Sequence, residues 1–277
     1  MTISLHPMEP FGAEITGVTG GELTDPAAAQ EYRAVLDEHG VLIYRDLHIS
    51  DEDLVTFTRS LGEPVLAKTR EHRLGEIETI TLDPTKTNAV LASYRKGNFH
   101  WHIDGATLET PQWATLLTAR EVDTAGGDTQ FANTFLAYAA LPEDEKRQLE
   151  GLTVRHTFAA AQLLANPEPT EADRAGWARV PARIHPLVWT RRNGRKSLLI
   201  GATAEQVVGM PADESRALLN RLLEWATRPQ FTYQHRWHRG DLVIWDNTGM
   251  LHRAIPFEPT SRRLMHRTTL SGVEAVA

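Results

Sequence analysis

His102-Ile103-Asp104 lies near the middle of the chain, while His252, Arg263 and Arg267 lie close to its end. Two imidazoles and one carboxylate can hold a mononuclear non-haem Fe(II) and leave three coordination positions open. For them to do so, segments separated by more than half the chain must converge, which few folds allow. An isolated His-x-Asp is weak evidence. With 12 histidines, about one His-x-[Asp/Glu] arises by chance. The arginines add weight. In an extended strand Arg263, Met265, Arg267 and Thr269 share one face. If that face turns inward, two cations enter the interior, which is costly without anionic partners. At ~3.3 Å per residue their Cα atoms lie ~13 Å apart, a spacing that suits two different anions. A guanidinium can grip a carboxylate through two parallel hydrogen bonds. The alternative for both arginines is pairing with structural Asp or Glu. The whole set implies an oxygenase that uses Fe(II) and an acidic co-substrate.

The absence of cysteine excludes disulfides, thiolate zinc sites and iron–sulfur clusters. Any metal must therefore be held by His, Asp or Glu. The 29 basic and 36 acidic residues give a formal net charge of −7, which argues against nucleic acid as a partner. Met1 to Pro10 carries neither the basic patch nor the apolar run of a signal peptide. No apolar stretch is long enough to span a bilayer. These readings point to a cytoplasmic protein with no membrane partner. A length of 277 residues fits one β-rich domain, 1–277, carrying helices.

Helix signals recur along the chain. Asp25-Pro26 opens a helical pattern whose apolar side is Tyr32, Val35 and Leu36, ended by Gly40. Val41-Leu42-Ile43-Tyr44 reads as a buried strand. Ser50 followed by Asp53 predicts the start of a helix carrying Leu54, Phe57 and Leu61, closed at Gly62. Pro211 begins another, with Leu218, Leu219, Leu222 and Leu223 as its core face.

Strand signals dominate the end. Phe231, Tyr233, His235 and Trp237 alternate, and Asp241 to Trp245 is a second run. Asn247-Thr248-Gly249 is a turn, His252 follows on the next strand, and Arg263 to Leu270 forms the last. His102 and Asp104 are expected on one face of a strand end. Many strands with a few helices predict a mainly β fold with flanking helices: a double-stranded β-helix, or distorted jelly roll. Two stretches, Pro84 to Phe99 and Ala161 to Pro186, read as irregular and as candidate lids.

Several segments resemble the taurine dioxygenase and 2,4-dichlorophenoxyacetate dioxygenase family, which depends on Fe(II) and 2-oxoglutarate. They are Trp101-His102-Ile103-Asp104, Gly126-Gly127-Asp128-Thr129, the run Gly240 to Asn247, Leu251-His252-Arg253 and Arg263 to Arg267. Gly12-Ala13-Glu14-Ile15 and Val41 to Arg45 extend the likeness upstream, so that it covers nearly the whole chain.

The resemblance implies His102, Asp104 and His252 as iron ligands. It implies Thr129 and Arg263 as the grip on the distal carboxylate of 2-oxoglutarate. Arg267 matches the position that meets the primary substrate's anion or the metal-side carboxylate of the co-substrate. Asn98 matches a position lining the substrate pocket, and His72 a ligand of the substrate anion. Gly105, after Asp104, stands where the family often has a small residue followed by Thr and Phe, and is placed with the substrate contacts. The aromatic residues that crowd taurine are replaced near Ala161 to Gln162 and Ala202 to Ala204. Ile200-Gly201-Ala202 and Trp225-Ala226-Thr227 look nearer the phenoxyacetate branch.

The expected activity is hydroxylation of a small anionic substrate, a carboxylate of aryloxyalkanoate type, with O₂ consumed and succinate and CO₂ released. The alternatives are a sulfonate or sulfate-ester dioxygenase, a biosynthetic hydroxylase or desaturase, and a jelly-roll binding protein with a vestigial metal site. The resemblance also implies a homo-oligomer.

Overall fold

The structure, a computed structural model, describes residues 4–69, 71–123 and 125–276. The N-terminal part comprises β1 (Ser4–Pro7), β2 (Ala13–Thr16), α1 (Ala29–His39), β3 (Val41–Tyr44), α2 (Asp51–Leu61), β4 (Glu78–Ile80) and α3 (Ala89–Arg95). The middle comprises β5 (Ala114–Glu121), β6 (Thr129–Asn133), α4 (Thr134–Ala139), α5 (Glu143–Leu149), β7 (Thr153–His156), α6 (Phe158–Ala165), α7 (Glu171–Trp177) and β8 (Arg183–Pro186). The remainder comprises β9 (Val188–Thr190), β10 (Lys196–Leu198), β11 (Ala204–Val207), α8 (Ala212–Ala226), β12 (Thr232–His235), β13 (Leu242–Asp246), β14 (Met250–Ala254) and β15 (Leu264–Thr269).

The major sheet runs β1-β2-β3-β13-β5-β15-β4, and a smaller sheet runs β12-β6-β14. One core joins Val41, Ile43, Leu117, Val243, Trp245 and Met265 of the major sheet to Phe131 and Met250 of the smaller one. The two sheets therefore face each other. On the other face of the major sheet, Tyr32 and Leu36 of α1 and Leu54, Phe57 and Leu61 of α2 pack on Leu42, Tyr44, Leu116 and Ile244. Each such buried side chain contributes roughly 1.5–3 kcal/mol. Strands covered on both faces have no polar side, which is why β3 is buried at all four positions and reads as a continuous apolar run.

Local signals explain most boundaries. The Ser50 side chain accepts a hydrogen bond from Asp53 N at 3.0 Å, starting α2. Asp25 caps a turn through Ala27 N at 2.9 Å, but the α-helix itself begins later, at Ala29. Gly40 ends that helix at φ 75°, a conformation that an L side chain rarely adopts. α8 buries Leu219, Leu222, Ser215 and Ala226, while Leu218 and Leu223 sit at the margin of its core face.

The two stretches expected to be irregular are largely regular. Pro84 to Phe99 contains α3, capped by Asn88, and a short 3₁₀ turn over Lys96–Phe99. Ala161 to Pro186 contains the end of α6, then α7 behind a capping box at Thr170 and Asp173, then β8. Short helices with one apolar contact face give weak periodicity, so the Ala, Pro and charge content masked them. No helix among the described residues is long and apolar enough to cross a membrane.

His156 on β7 is fully buried, with Nδ1 2.9 Å from Thr203 Oγ1 and the His185 ring 5.8 Å away. Burial, and then the charge of His185, pushes its pKa down to about 3. On acidification the unfolded chain takes up this proton near the ordinary value, before the folded one does. The contribution is therefore fully present above about pH 6.5 and is lost as the pH falls toward 3. Urea unfolding across that window is expected to show stability falling with acid, and His156→Gln is expected to flatten the fall.

Candidate active site

The central feature is a single antiparallel bridge between two histidines. His102 N donates to His252 O at 3.0 Å, and His252 N donates to His102 O at 2.9 Å. His252 sits in β14, whose register against β6 places it opposite Phe131. His102 and Asp104 belong to no strand. They lie in a loop and turn whose backbone meets β14 at this isolated bridge, which corrects the expectation of a strand end.

The bridge brings the imidazoles together, tilted by 49° with ring centroids 4.2 Å apart. Asp104 closes the triangle, with Oδ1 3.8 Å from His102 Nε2 and Oδ2 3.7 Å from His252 Nε2. One ligand atom from each residue lies within 4.8 Å of the others. His102 Nδ1 is 2.8 Å from His100 O, and His252 Nδ1 is 3.4 Å from Met250 O. Each Nδ1–H then donates to a carbonyl, leaving the Nε2 lone pairs directed at the centre.

Charge state agrees with ligand chemistry. Burial lowers both histidines, and the charge of the neighbouring His102 adds to this for His252, which falls to about 3. Both rings are therefore neutral near pH 7, as metal ligation requires. Burial opposes ionisation of Asp104. The Arg267 guanidinium, with the two imidazoles, outweighs it and holds the carboxyl well below the usual range. Two neutral imidazoles and one carboxylate with converging donor atoms fit an Fe(II) centre.

Two cations flank this triad in different states. Arg263, just before β15, is buried, donates Nε–H to Gly127 O at 2.9 Å and lies over the Phe257 ring at 4.9 Å. Gly127 has φ 79°, and a Cβ there would come within 2.6 Å of Arg263 Cδ, so glycine is what allows this close approach. Among the described residues no carboxylate lies within ion-pair distance of Arg263. Burial pushes its pKa down to about 10 against the pull of Asp128, which leaves it charged and unneutralised.

Arg267 lies opposite Glu78 in the β15–β4 register and bonds its carboxylate at 2.5 Å, with Asp104 Oδ2 at 3.4 Å. Burial disfavours its charge, but Glu78 and Asp104 outweigh that and raise its pKa well above the ordinary value. Its Nε is buried without a partner. Thr129 on β6 accepts a hydrogen bond from Trp237 Nε1 at 3.0 Å, which leaves its own hydroxyl proton free to donate.

A cavity with an empty volume of about 550 Å³ opens beside the histidines. It is lined by Thr129, Arg263 and Arg267, and by Arg95, Asn98 and Phe99 from α3 and its 3₁₀ turn. Ile80, Leu82, Leu117 and Phe257 supply apolar wall. Of the residues expected at the substrate, Asn98 lines this cavity, whereas His72 and Gly105 do not. Gly105 has φ 78°, and a Cβ there would meet Gln112 N at 2.7 Å, so the turn itself needs glycine.

His72 belongs to a second cluster, with Asp51 and His266, on the opposite side of β15 from Arg267. Leu74 N donates to His72 Nδ1 at 3.1 Å, so His72 Nε2 carries the proton and donates to Asp51 Oδ2 at 3.1 Å. Arg120 Nη2 binds Asp51 Oδ1 at 2.5 Å. Both His72 ring nitrogens are thus engaged in hydrogen bonds within this cluster.

Sequence reasoning missed Arg95, Phe99 and Phe257, which line the cavity from segments with no motif. It also missed Thr115, whose hydroxyl reaches Asp104 from β5 at 2.9 Å.

Fold and site together define a non-haem iron oxygenase of the two-histidine, one-carboxylate type. The model of the family described as "Taurine catabolism dioxygenase TauD, TfdA family" matches residues 4–269. The 2,4-dichlorophenoxyacetate dioxygenase of Cupriavidus pinatubonensis, described as alpha-ketoglutarate-dependent, is 34% identical over 97% of this chain and 98% of its own. An alkylsulfatase of Acinetobacter baylyi is 31% identical over 95% of this chain and 82% of its own. The crystal structure of AAD-2 in complex with Mn(II) and N-oxalylglycine superposes with a TM-score of 0.84 at 29% identity, covering all of both chains. The chain belongs to the TauD/TfdA family and is an Fe(II)- and 2-oxoglutarate-dependent dioxygenase.

Arg263→Leu is expected to raise the KM for 2-oxoglutarate by about 10- to 150-fold, the value of a charge-assisted bond of ~1.5–3 kcal/mol. Steady-state assays with 2-oxoglutarate varied check this, and an unchanged KM would place the co-substrate elsewhere.

Proposed function

We propose that the enzyme hydroxylates a small organic carboxylate of aryloxyalkanoate type, converting one C–H to C–OH while 2-oxoglutarate and O₂ become succinate and CO₂. One observation carries the reading. Among the described residues, the cavity beside the triad is lined by four arginines, Arg95, Arg253, Arg263 and Arg267, and by no acidic side chain, against walls of Ile80, Leu82, Phe99, Leu117 and Phe257. Arg95 pairs with Glu71 and Arg267 with Glu78 behind the lining, so Arg253 and Arg263 are the lining arginines that no carboxylate among the described residues pairs with, and cations in a confined apolar space select an anion with an apolar body.

His102, Asp104 and His252 would hold the iron. Bound Fe(II), with 2-oxoglutarate and O₂, supplies the oxidising power for C–H cleavage. Arg263 would clamp the far carboxylate of 2-oxoglutarate, with the Thr129 hydroxyl donating alongside. Arg267 would face the metal-side carboxylate or the substrate's anion through its unpartnered Nε, and Asn98 would touch the substrate. Phe99 and Phe257, edge to face at 5.6 Å, would pack on the apolar body and exclude water. Hydroxylation at a carbon bearing an ether oxygen would leave a product that falls apart to a keto acid or aldehyde and an alcohol or phenol.

The proposed architecture is one domain in a double-stranded β-helix, supported by the two facing sheets. A cytoplasmic homo-oligomer without nucleic acid or membrane partner completes the reading, supported by the net charge of −7 and the family likeness. A second reading, oxidation of sulfate esters, draws support from the likeness to the alkylsulfatase, since an arginine-lined cavity also suits a sulfate.

A panel of carboxylates, sulfonates and sulfate esters, scored by succinate release with Fe(II) and 2-oxoglutarate, separates the two. Aryloxyalkanoates are expected to give the highest kcat/KM, and turnover of sulfate esters alone would reverse the assignment. His252→Ala is expected to abolish succinate release while leaving the circular dichroism spectrum intact. Near-normal turnover in that variant would remove the triad from the chemistry.

A further inference from the structure

A chain of buried hydrogen bonds runs from the core to the candidate metal centre, and its direction is fixed at one end. Trp245 Nε1 is 2.9 Å from Asn247 Oδ1, Asn247 Nδ2 is 2.8 Å from Thr115 Oγ1, and Thr115 Oγ1 is 2.9 Å from Asp104 Oδ2. An indole N–H can only donate. Asn247 must therefore present its oxygen to Trp245 and its amide hydrogens to Thr115. With the Thr115 oxygen accepting from Asn247, its own proton goes to Asp104. Trp245, Asn247 and Thr115 are fully or almost fully buried, so water cannot substitute for any link. The strands place the links: Trp245 on β13 pairs with Thr115 on β5, and Asn247 follows β13 directly.

At its far end the chain meets a carboxylate that has a choice of oxygens. Asp104 Oδ2 takes the Thr115 hydroxyl and, at 3.4 Å, Arg267 Nη1. Oδ1 receives neither of these donors. We propose that Trp245, Asn247 and Thr115 are positioning residues which, through this one-way chain, hold Asp104 as a one-oxygen metal ligand through Oδ1. A carboxylate gripping through both oxygens would occupy one of the three positions that 2-oxoglutarate and O₂ need. The chain gives the Trp245 indole N–H and the Asn247 amide a shared polar role, beside the packing of the Trp245 ring against the cavity and the His252 ring.

The inference rests on His102, Asp104 and His252 forming the metal site. Calorimetric titration of metal-free enzyme with Mn(II), beside a thermal melt of the same sample, tests it. If wild-type enzyme fails to bind Mn(II), the metal-site reading falls, which differs from any result of the variants. Thr115→Val is expected to weaken Mn(II) binding by about 10-fold or more, and Thr115→Ser to restore it to within about 2-fold. Trp245→Phe is expected to weaken Mn(II) binding in the wild-type background but to add little to Thr115→Val, because both act through one chain. Should Thr115→Val not fold, Thr115→Ala against Thr115→Ser makes the same comparison of hydroxyl absent and present. A lower melting temperature with unchanged Mn(II) affinity would show the chain to be structural only and overturn the proposal. Fully additive effects of Trp245→Phe and Thr115→Val would overturn the relay.

Discussion

Two main-chain hydrogen bonds hold the candidate metal centre together. The bridge between His102 and His252 is the point where a loop from the middle of the chain meets a strand from near its end. The loop is held from other sides too: Trp101 O accepts a hydrogen bond from Ala202 N at 2.7 Å, and Arg253 of β14 lies over the Trp101 ring. The strand in turn takes its register from β6, where Met250 faces Asn133 and Ala254 faces Thr129. Because side chains alternate along a strand, a slip of one residue would turn His252 out of the site and move Thr129 relative to it. The relative placement of His252 and Thr129, proposed as metal ligand and co-substrate contact, is thus set by one register.

Charge placement follows from the same sheets. β15 carries Arg267 directly opposite Glu78 on β4, so this cation enters the interior with a partner supplied by strand pairing. Arg263 lies just outside the ladder, where no strand stands opposite it. It is held instead by the Gly127 carbonyl and the face of Phe257. Two arginines four residues apart on one strand end therefore differ in kind. One is largely neutralised by the protein, and the other is a buried cation that an anionic ligand would satisfy. A buried unpaired charge is costly, and a site that must recruit a dianion is where such a cost has a use.

The sheet interior serves the chemistry as well as the stability. Trp245 packs on Phe131 and on the His252 ring, with centroids 5.4 and 4.8 Å away, and also starts the hydrogen-bond chain to Asp104. One side chain thus packs on one candidate ligand and is linked to a second through polar contacts. On the far side of β15, the Asp51, His72, His266 and Arg120 network ties α2 to the sheet without touching the cavity. Adjacent residues His266 and Arg267 therefore serve opposite faces.

The sequence by itself determined the elements with strong local signals. The Ser50 cap, the glycine at position 40, the all-apolar β3 and the closing strands from Leu242 to Thr269 follow from short-range chemistry that no partner has to complete. The residues that gather at the centre were legible too, because His-x-Asp, a distant His and two following arginines are rare in combination. Tertiary structure alone decided the rest. It placed His102 and Asp104 in a loop, turned His72 and Gly105 away from the cavity, and brought Arg95 and Phe99 into it from a helical stretch that reads as irregular. It also paired Arg267 with Glu78, left Arg263 without a carboxylate partner among the described residues, and threaded Trp245 and Asn247 to Asp104 through Thr115. These outcomes depend on strand order, on register and on which donors find which acceptors across segments far apart in the chain. No local pattern encodes them, because each residue's partner is chosen by the packing of the others.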